Sequence, residues 1–192
     1  EIAYRMPTLA PSDACVREPD RPFFRSAGAS GAVLKRDEEY LLWFEGYSAM
    51  TGNWFLSRSP DGFDWDPEGW DEDRLCRFEG HSPYADHYDP TVVATDAGFD
   101  AWYGKRRSGS LAVDVIAHSR SEDGIAFGAE SIALEPGPPG SWDDRAVHSP
   151  SVLAHDGRLW LWYAGESDDE IPRIGLAISE DGGATWQRVG DG

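Results

Sequence analysis

Basic residues are scarce in this chain. Its 192 residues carry 17 Lys and Arg against 35 Asp and Glu, a formal net charge of −18. Nucleic-acid binding needs clustered cations on the phosphate track, so that class is excluded, and an anionic membrane surface is excluded with it. Long apolar runs are also missing. No stretch approaches the length of roughly 18 residues that a spanning helix needs, so no membrane segment is expected. No charged n-region precedes an apolar h-region, so no signal peptide is visible, and localisation stays open. The acidic balance reads first as a solvated surface that keeps the protein dispersed.

Cysteine is almost absent. Cys15 stands 16 residues before Gly31 and Cys76 stands 14 before Pro90. These are nearly equivalent places in successive repeats, one unit apart, too far for a disulfide whose Cα atoms must lie within about 7 Å. Two free thiols are expected. No Cys-x-x-Cys pair exists, which argues against a structural zinc site, and no cofactor motif appears. Helical periodicity beyond a turn or two is missing as well.

What the chain does have is a repeat. SPDGFDW (59–65), SEDGIAF (121–127) and SEDGGATW (179–186) each place Ser-x-Asp-Gly before an aromatic residue, and Asp61, Asp123 and Asp181 fall 62 and 58 residues apart. The units align further. Gly31, Pro90 and Pro150 correspond, as do Asp37, Asp96 and Asp156, then Trp43, Trp102 and Trp162, then Phe44, Tyr103 and Tyr163. A period near 60 residues built from short apolar runs separated by Asp-Gly turns predicts strands. Each unit supplies three clear strands and a weaker fourth, which is a propeller blade. The fold expected is all-β: a propeller of about three four-stranded antiparallel blades, in one domain over 1–192, with repeats at about 8–66, 67–130 and 131–192. Known rings hold about four to eight blades, so three should not close alone. Completion by a second chain, as a homodimer or larger homo-oligomer, is expected, with a longer polypeptide as the alternative. The N-terminal EIAYRMPTLAP resembles the SIALEPG of 131–137 and is expected to complete the last blade or a neighbour's.

Blade connectivity sorts residues by face. The innermost strands begin at GASG (28–31), HYDP (87–90) and VHSP (147–150), at the axis where a ligand would sit. Departures from the repeat carry the information there. Asp89 stands against Ser30 and Ser149, His87 against Gly28 and Val147, and His148 against Ala29 and Tyr88. A carboxylate and imidazoles therefore appear where the scaffold does not ask for them. Asp89, His148 and His87 are the candidate catalytic residues, since His titrates near neutrality and pairs with a carboxylate in acid–base work. The same trio offers nitrogen and oxygen ligands, so a metal-dependent enzyme is a further alternative. Arg145 and Arg25 precede inner-strand starts, and Tyr47, Arg106 and Glu166 share equivalent places after the second strand. All five are candidate substrate-binding residues. The segment from Trp65 to Asp89 is the least repeat-like and is expected to overhang this face.

The pattern Asp-Pro or Ser-Pro, Asp-Gly, Trp-Tyr-Ala-Gly and Ser-Glu-Asp-Gly-x-x-Trp resembles the propeller glycoside hydrolases of families 32 and 43, arabinanases, xylosidases and fructosidases. SEDGGATW also resembles the Asp box of sialidases, a structural turn. The resemblance implies a propeller of roughly five blades with carboxylates at successive inner-strand starts: a base or nucleophile, an auxiliary Asp and an acid Glu. Asp89 matches one of these positions. His148-Ser149-Pro150 stands where the acid motif is expected, and Ala29-Ser30-Gly31 has no carboxylate. Two carboxyl groups ordinarily flank a glycosidic bond; Glu45, Glu166 and the acids of the segment from Trp65 to Asp89 are the substitutes at hand. The expected function is a glycosidase-like propeller acting on or binding a carbohydrate or similar polar small molecule at the axis. The alternative is a non-catalytic glycan- or protein-binding module that assembles by oligomerisation.

Overall fold

The computed structural model describes residues 26–48, 51–65, 75–80, 87–107, 113–169 and 171–190. Among them there is no helix. The first sheet runs β1 (Ser26–Arg36), β2 (Glu39–Ser48), β3 (Thr51–Ser59) in that spatial order. A short strand β4 (Arg77–Phe78) follows. The second sheet is built on β5 (His87–Thr95), β6 (Gly98–Arg107) and β7 (Val113–Ser121). The third is β10 (Ala146–His155), β11 (Arg158–Glu166), β12 (Arg173–Ser179) and β13 (Gln187–Arg188). These are antiparallel blades of a propeller, with β1, β5 and β10 side by side at the centre.

The fourth strand differs from blade to blade. In the third blade it is β13, paired to β12 after Trp186. In the second it is split into β8 (Ala126–Phe127) and β9 (Ser131–Leu134), which pair with opposite parts of β7. In the first only a bridge between Phe55 and Leu75 is described. The chain then leaves as β4 and pairs in parallel with β8, stitching the first blade's exit to the second blade.

Both faces of the second blade are apolar because it lies between the first and the third. Leu41, Trp43, Trp54 and Leu56 meet Phe99, Ala101, Tyr103 and Phe127 in one buried cluster between blades one and two. Trp102, Ile116, Val147, Leu161 and Tyr163 form the second, between blades two and three. Strand alternation explains the division: Trp102 and Tyr103 are neighbours in sequence and face opposite blades. The Ser-x-Asp-Gly turns close the far ends. In each, the Asp accepts backbone N–H bonds inside its own turn: Asp61 from Phe63 and Asp64, Asp123 from Ile125 and Ala126, Asp181 from Thr185. Asp181 is pulled down to about 2 by the Thr185 hydroxyl and backbone. These carboxylates are occupied in holding turns. Cys76 is a buried free thiol; Cys15 lies outside the described residues.

A candidate site at the inner-strand starts

All three inner strands break register at the same place. The pairing slips between Ala27 and Gly31, between Tyr88 and Thr91, and between His148 and Ser151. Each slip is a bulge, which turns side chains out of the regular alternation. At two of these bulges the backbone is left-handed at a non-glycine residue: φ is 51° at Asp89 and 48° at Ser149. Both residues precede a proline, a setting that ordinarily favours extended backbone. The other two such residues, Asp37 and Asp156, sit in hairpin turns that suit aspartate. Strain at Asp89 and Ser149 therefore has no turn to account for it, which is the kind of outlier that marks working sites.

The two strained residues aim at each other. Ser149 Oγ donates to Asp89 Oδ2 at 2.6 Å. Its oxygen in turn meets His148 Nδ1 at 3.0 Å, and His148 Nε2 faces Glu166 Oε1 at 3.3 Å. Four groups thus stand in one line: Glu166, His148, Ser149, Asp89. The single hydroxyl proton is committed to Asp89, so Nδ1 must be the donor to Ser149. The line is fully bonded when both ring nitrogens donate, Nδ1 to the Ser149 hydroxyl and Nε2 to Glu166. On its other side Asp89 is fixed by its backbone N–H, which donates to the buried Glu45 Oε1 at 2.5 Å.

This line opens on a cavity of about 620 Å³ bordered by the three inner strands, with Gly31, Asp89, Pro90, Thr91, Ser149 and Ser151 in its wall. A Cβ on Gly31 would come within 2.7 Å of the Trp43 carbonyl, so that wall stays without a side chain. Thr91 Oγ1 accepts the Val152 N–H at 3.1 Å and ties the second and third inner strands together. The size suits a small polar ligand.

The candidate residues separate. Asp89 and His148 come together, with Glu166 behind His148. His87 does not join them. Two residues apart on a regular strand, His87 and Asp89 would share a face; the bulge after Tyr88 turns Asp89 to the axis and leaves His87 inside the blade. There it is buried among Trp54, Phe78 and Tyr103, with Nε2 2.9 Å from Glu130 Oε2. Burial raises the Glu130 carboxyl, and hydrogen bonds from His87, Lys105 and Tyr103 outweigh it and hold the group at about 2. Arg106 is turned to Asp114 in a two-pronged pair at 2.9 and 3.1 Å. Arg145 is exposed, and its backbone N–H donates to the Glu166 carbonyl at 2.9 Å. Tyr47 pairs with Ser26 and Gly52 along the strands, and Arg25 lies outside the described residues, as does most of the segment between Trp65 and Asp89. Among the described residues no three His, Cys, Asp or Glu side chains stand together so as to hold a metal ion. Ser149 was not among the expected site residues. Its signal was present: it is the position equivalent to Asp89.

No protein-family model and no curated protein matches the sequence. Solved structures do. The β-1,2-mannobiose phosphorylase of Listeria innocua matches with TM-score 0.64 and 15% identity, over 83% of this chain and 43% of its own. A family 117 glycoside hydrolase of Zobellia galactanivorans matches with TM-score 0.61 and 14% identity, over 90% and 57%. The sucrose-6-phosphate hydrolase of Lactobacillus gasseri matches with TM-score 0.66 and 14% identity, over 91% and 37%. At these identities the likeness shows the propeller fold, shared with carbohydrate-active enzymes. The chain spans about two-fifths to three-fifths of the length of these three proteins.

Proposed function

We propose that this is a glycosidase-like propeller that binds a carbohydrate at the axial cavity and acts on it there. The observation that carries the reading is the hydrogen-bonded line from Glu166 through His148 and Ser149 to Asp89, open on that cavity. Asp89 serves as base or stabiliser of developing positive charge. His148, oriented by Glu166, supplies a proton that reaches the leaving oxygen through the Ser149 hydroxyl in the cavity wall, the task that a second carboxylic acid performs in most glycosidases. Ser149 passes a proton between the two ends and keeps Asp89 aimed. The inner-strand arrangement and the turn pattern favour kinship with families 32 and 43, and favour reading the Ser-x-Asp-Gly turns as Asp boxes.

Replacing Asp89 with Asn keeps the size and one acceptor and removes the charge. Assayed on a panel of aryl glycosides, the variant is expected to lose about 10²–10⁴-fold in turnover, with its unfolding midpoint in urea close to the parent's. Unchanged turnover, or no turnover by the parent on any member of the panel, removes the enzymatic reading.

A second reading rests on one observation. Among the described residues bordering the cavity, Asp89 is the single carboxylate, and Ser149 already holds it. A site of that kind suits a glycan-binding module without hydrolysis. Glycan binding by a parent that turns over nothing, abolished in Asp89→Asn, would establish it.

A further inference from the structure

Asp89 and Ser149 share a left-handed backbone at equivalent positions, with φ of 51° and 48°, and they are held in different ways. The peptide N–H of Asp89 donates to Glu45 Oε1 at 2.5 Å, across a separation of 44 residues. Glu45 belongs to β2 of the preceding blade. Strand alternation puts it on the same face as Trp43, two residues before it. That face meets the second blade, where Trp43 Nε1–H donates to the Gly124 carbonyl at 2.8 Å. Glu45 is 3% exposed, so it reaches Asp89 from inside the blade junction.

The next junction is built without this contact. Aligned on the repeat tryptophans, Gly104 and Ala164 stand where the first blade has Glu45. Gly104 lies two residues after Trp102, which packs toward the third blade, and it has no side chain to offer Ser149. The space for one is already filled: a Cβ on Gly104 would collide with the Tyr88 ring. Ser149 is tied instead through its hydroxyl, which donates to Asp89 Oδ2 at 2.6 Å. The order of dependence follows: Glu45 holds the Asp89 peptide, and Asp89 holds Ser149.

A buried carboxylate is costly to keep, and one is retained where it accepts strong bonds. A peptide N–H bond to an ionised oxygen is roughly twice as strong as one to a neutral acceptor. That gain is of the size needed to hold a non-glycine residue left-handed against the extended preference that Pro90 imposes on Asp89. The propeller scaffold does not require it, since the other two blades have Gly104 and Ala164 in that place. We propose that Glu45 is the positioning residue of the site, holding the Asp89 peptide left-handed from the neighbouring blade and so setting where the Asp89 carboxylate and Ser149 point. The role rests on the reading of the axial cavity as the place of action. Without Glu45 the Asp89 backbone relaxes toward the extended form, and its carboxylate leaves the cavity wall.

The test compares Glu45→Gln and Glu45→Leu, each alone and combined with Asp89→Asn. The backbone amide of Asp89 is followed by proton–nitrogen NMR, turnover is measured on the panel of aryl glycosides, and urea unfolding checks the fold. The Asp89 amide proton should stand far downfield in the parent, move upfield in Glu45→Gln, which keeps a neutral acceptor, and move further in Glu45→Leu. Glu45→Leu should lose about 10²-fold in kcat per folded molecule with little change in KM, the effect of a reacting group displaced by about an ångström. Glu45→Gln should recover all but about ten-fold of it. In the Asp89→Asn background Glu45→Leu should lower kcat no further, because the carboxylate that it places is already gone; a further loss there would mark a residue that only supports the fold, and overturns the proposal. An Asp89 amide proton unmoved in both variants, or parental kcat in Glu45→Leu, also overturns it and leaves the glycosidase-like function standing. A parent that cleaves no glycoside removes that function, and the positioning role falls with it.

Discussion

Two of the histidine–carboxylate pairs among the described residues, those of His87 and His148, stand one blade apart at successive inner-strand starts, and they have opposite surroundings. His87 and Glu130 are sealed between blades, with side chains 4% and 6% exposed. His148 and Glu166 stand at the same end of the next inner strand with 21% and 29% exposed. The first pair is closed on every side by Trp54, Phe78, Tyr103 and Lys105. The second leads onward, through Ser149, to a carboxylate in the cavity wall. The same two residue types thus serve cohesion in one place and are available for chemistry in the other. What separates them is the direction in which a bulge turns the strand.

Removing the buried acid should have the largest effect on stability. Glu130→Gln is expected to cost about 3–5 kcal/mol in urea unfolding, because His87 and Lys105 lose their counter-charge where water cannot replace it. Glu166→Gln, at a half-open pair, is expected to cost no more than about 1 kcal/mol. Equal costs would erase the distinction between the pairs.

Turnover should divide the other way. His148→Gln is expected to lower turnover by about 10²-fold or more through loss of acid–base assistance. His87→Gln should act through unfolding, leaving turnover per folded molecule near the parent's. Ser149→Ala is expected to fall between them, at about ten-fold, since one hydrogen bond that aims Asp89 is worth about 1 kcal/mol or slightly more.

Acid sharpens the comparison further. Glu130 is held at about 2 against an ordinary 4.5, so its folded pKa is depressed. Its stabilising contribution is complete above pH 4.5 and disappears as pH falls toward 2. Equilibrium unfolding between those pH values should show a downward slope in the parent that is reduced in Glu130→Gln.

Much of the frame was legible because strands and turns are written locally. The Asp-Gly turns, the apolar runs and the three equivalent tryptophans predicted blades, and Asp89 stood out as a carboxylate where the other units have serine. The partner of His87 was not legible: Glu130 lies 43 residues further on, between the two pieces of the split fourth strand, and only the packing of two blades brings them together. Glu45 is legible as a spare acid; its grip on the Asp89 backbone depends on a bulge that no residue pattern announces. His87 misled for the same reason, since a two-residue period places it beside Asp89, and a left-handed φ of 51° cancels that period. Ser149 was hidden by resemblance: Ser-Pro looks like scaffold until its hydroxyl is seen on Asp89.

The division between the two histidines can be read in one experiment. Histidine ring resonances are recorded by NMR while the parent is titrated with a sugar that it binds or turns over, with Asp89→Asn as the control. The expected result is movement of the His148 signals on addition of the sugar, silence at His87, and loss of the response in Asp89→Asn. Movement at His87 with His148 unmoved would contradict the assignment of the ligand site to the axial cavity.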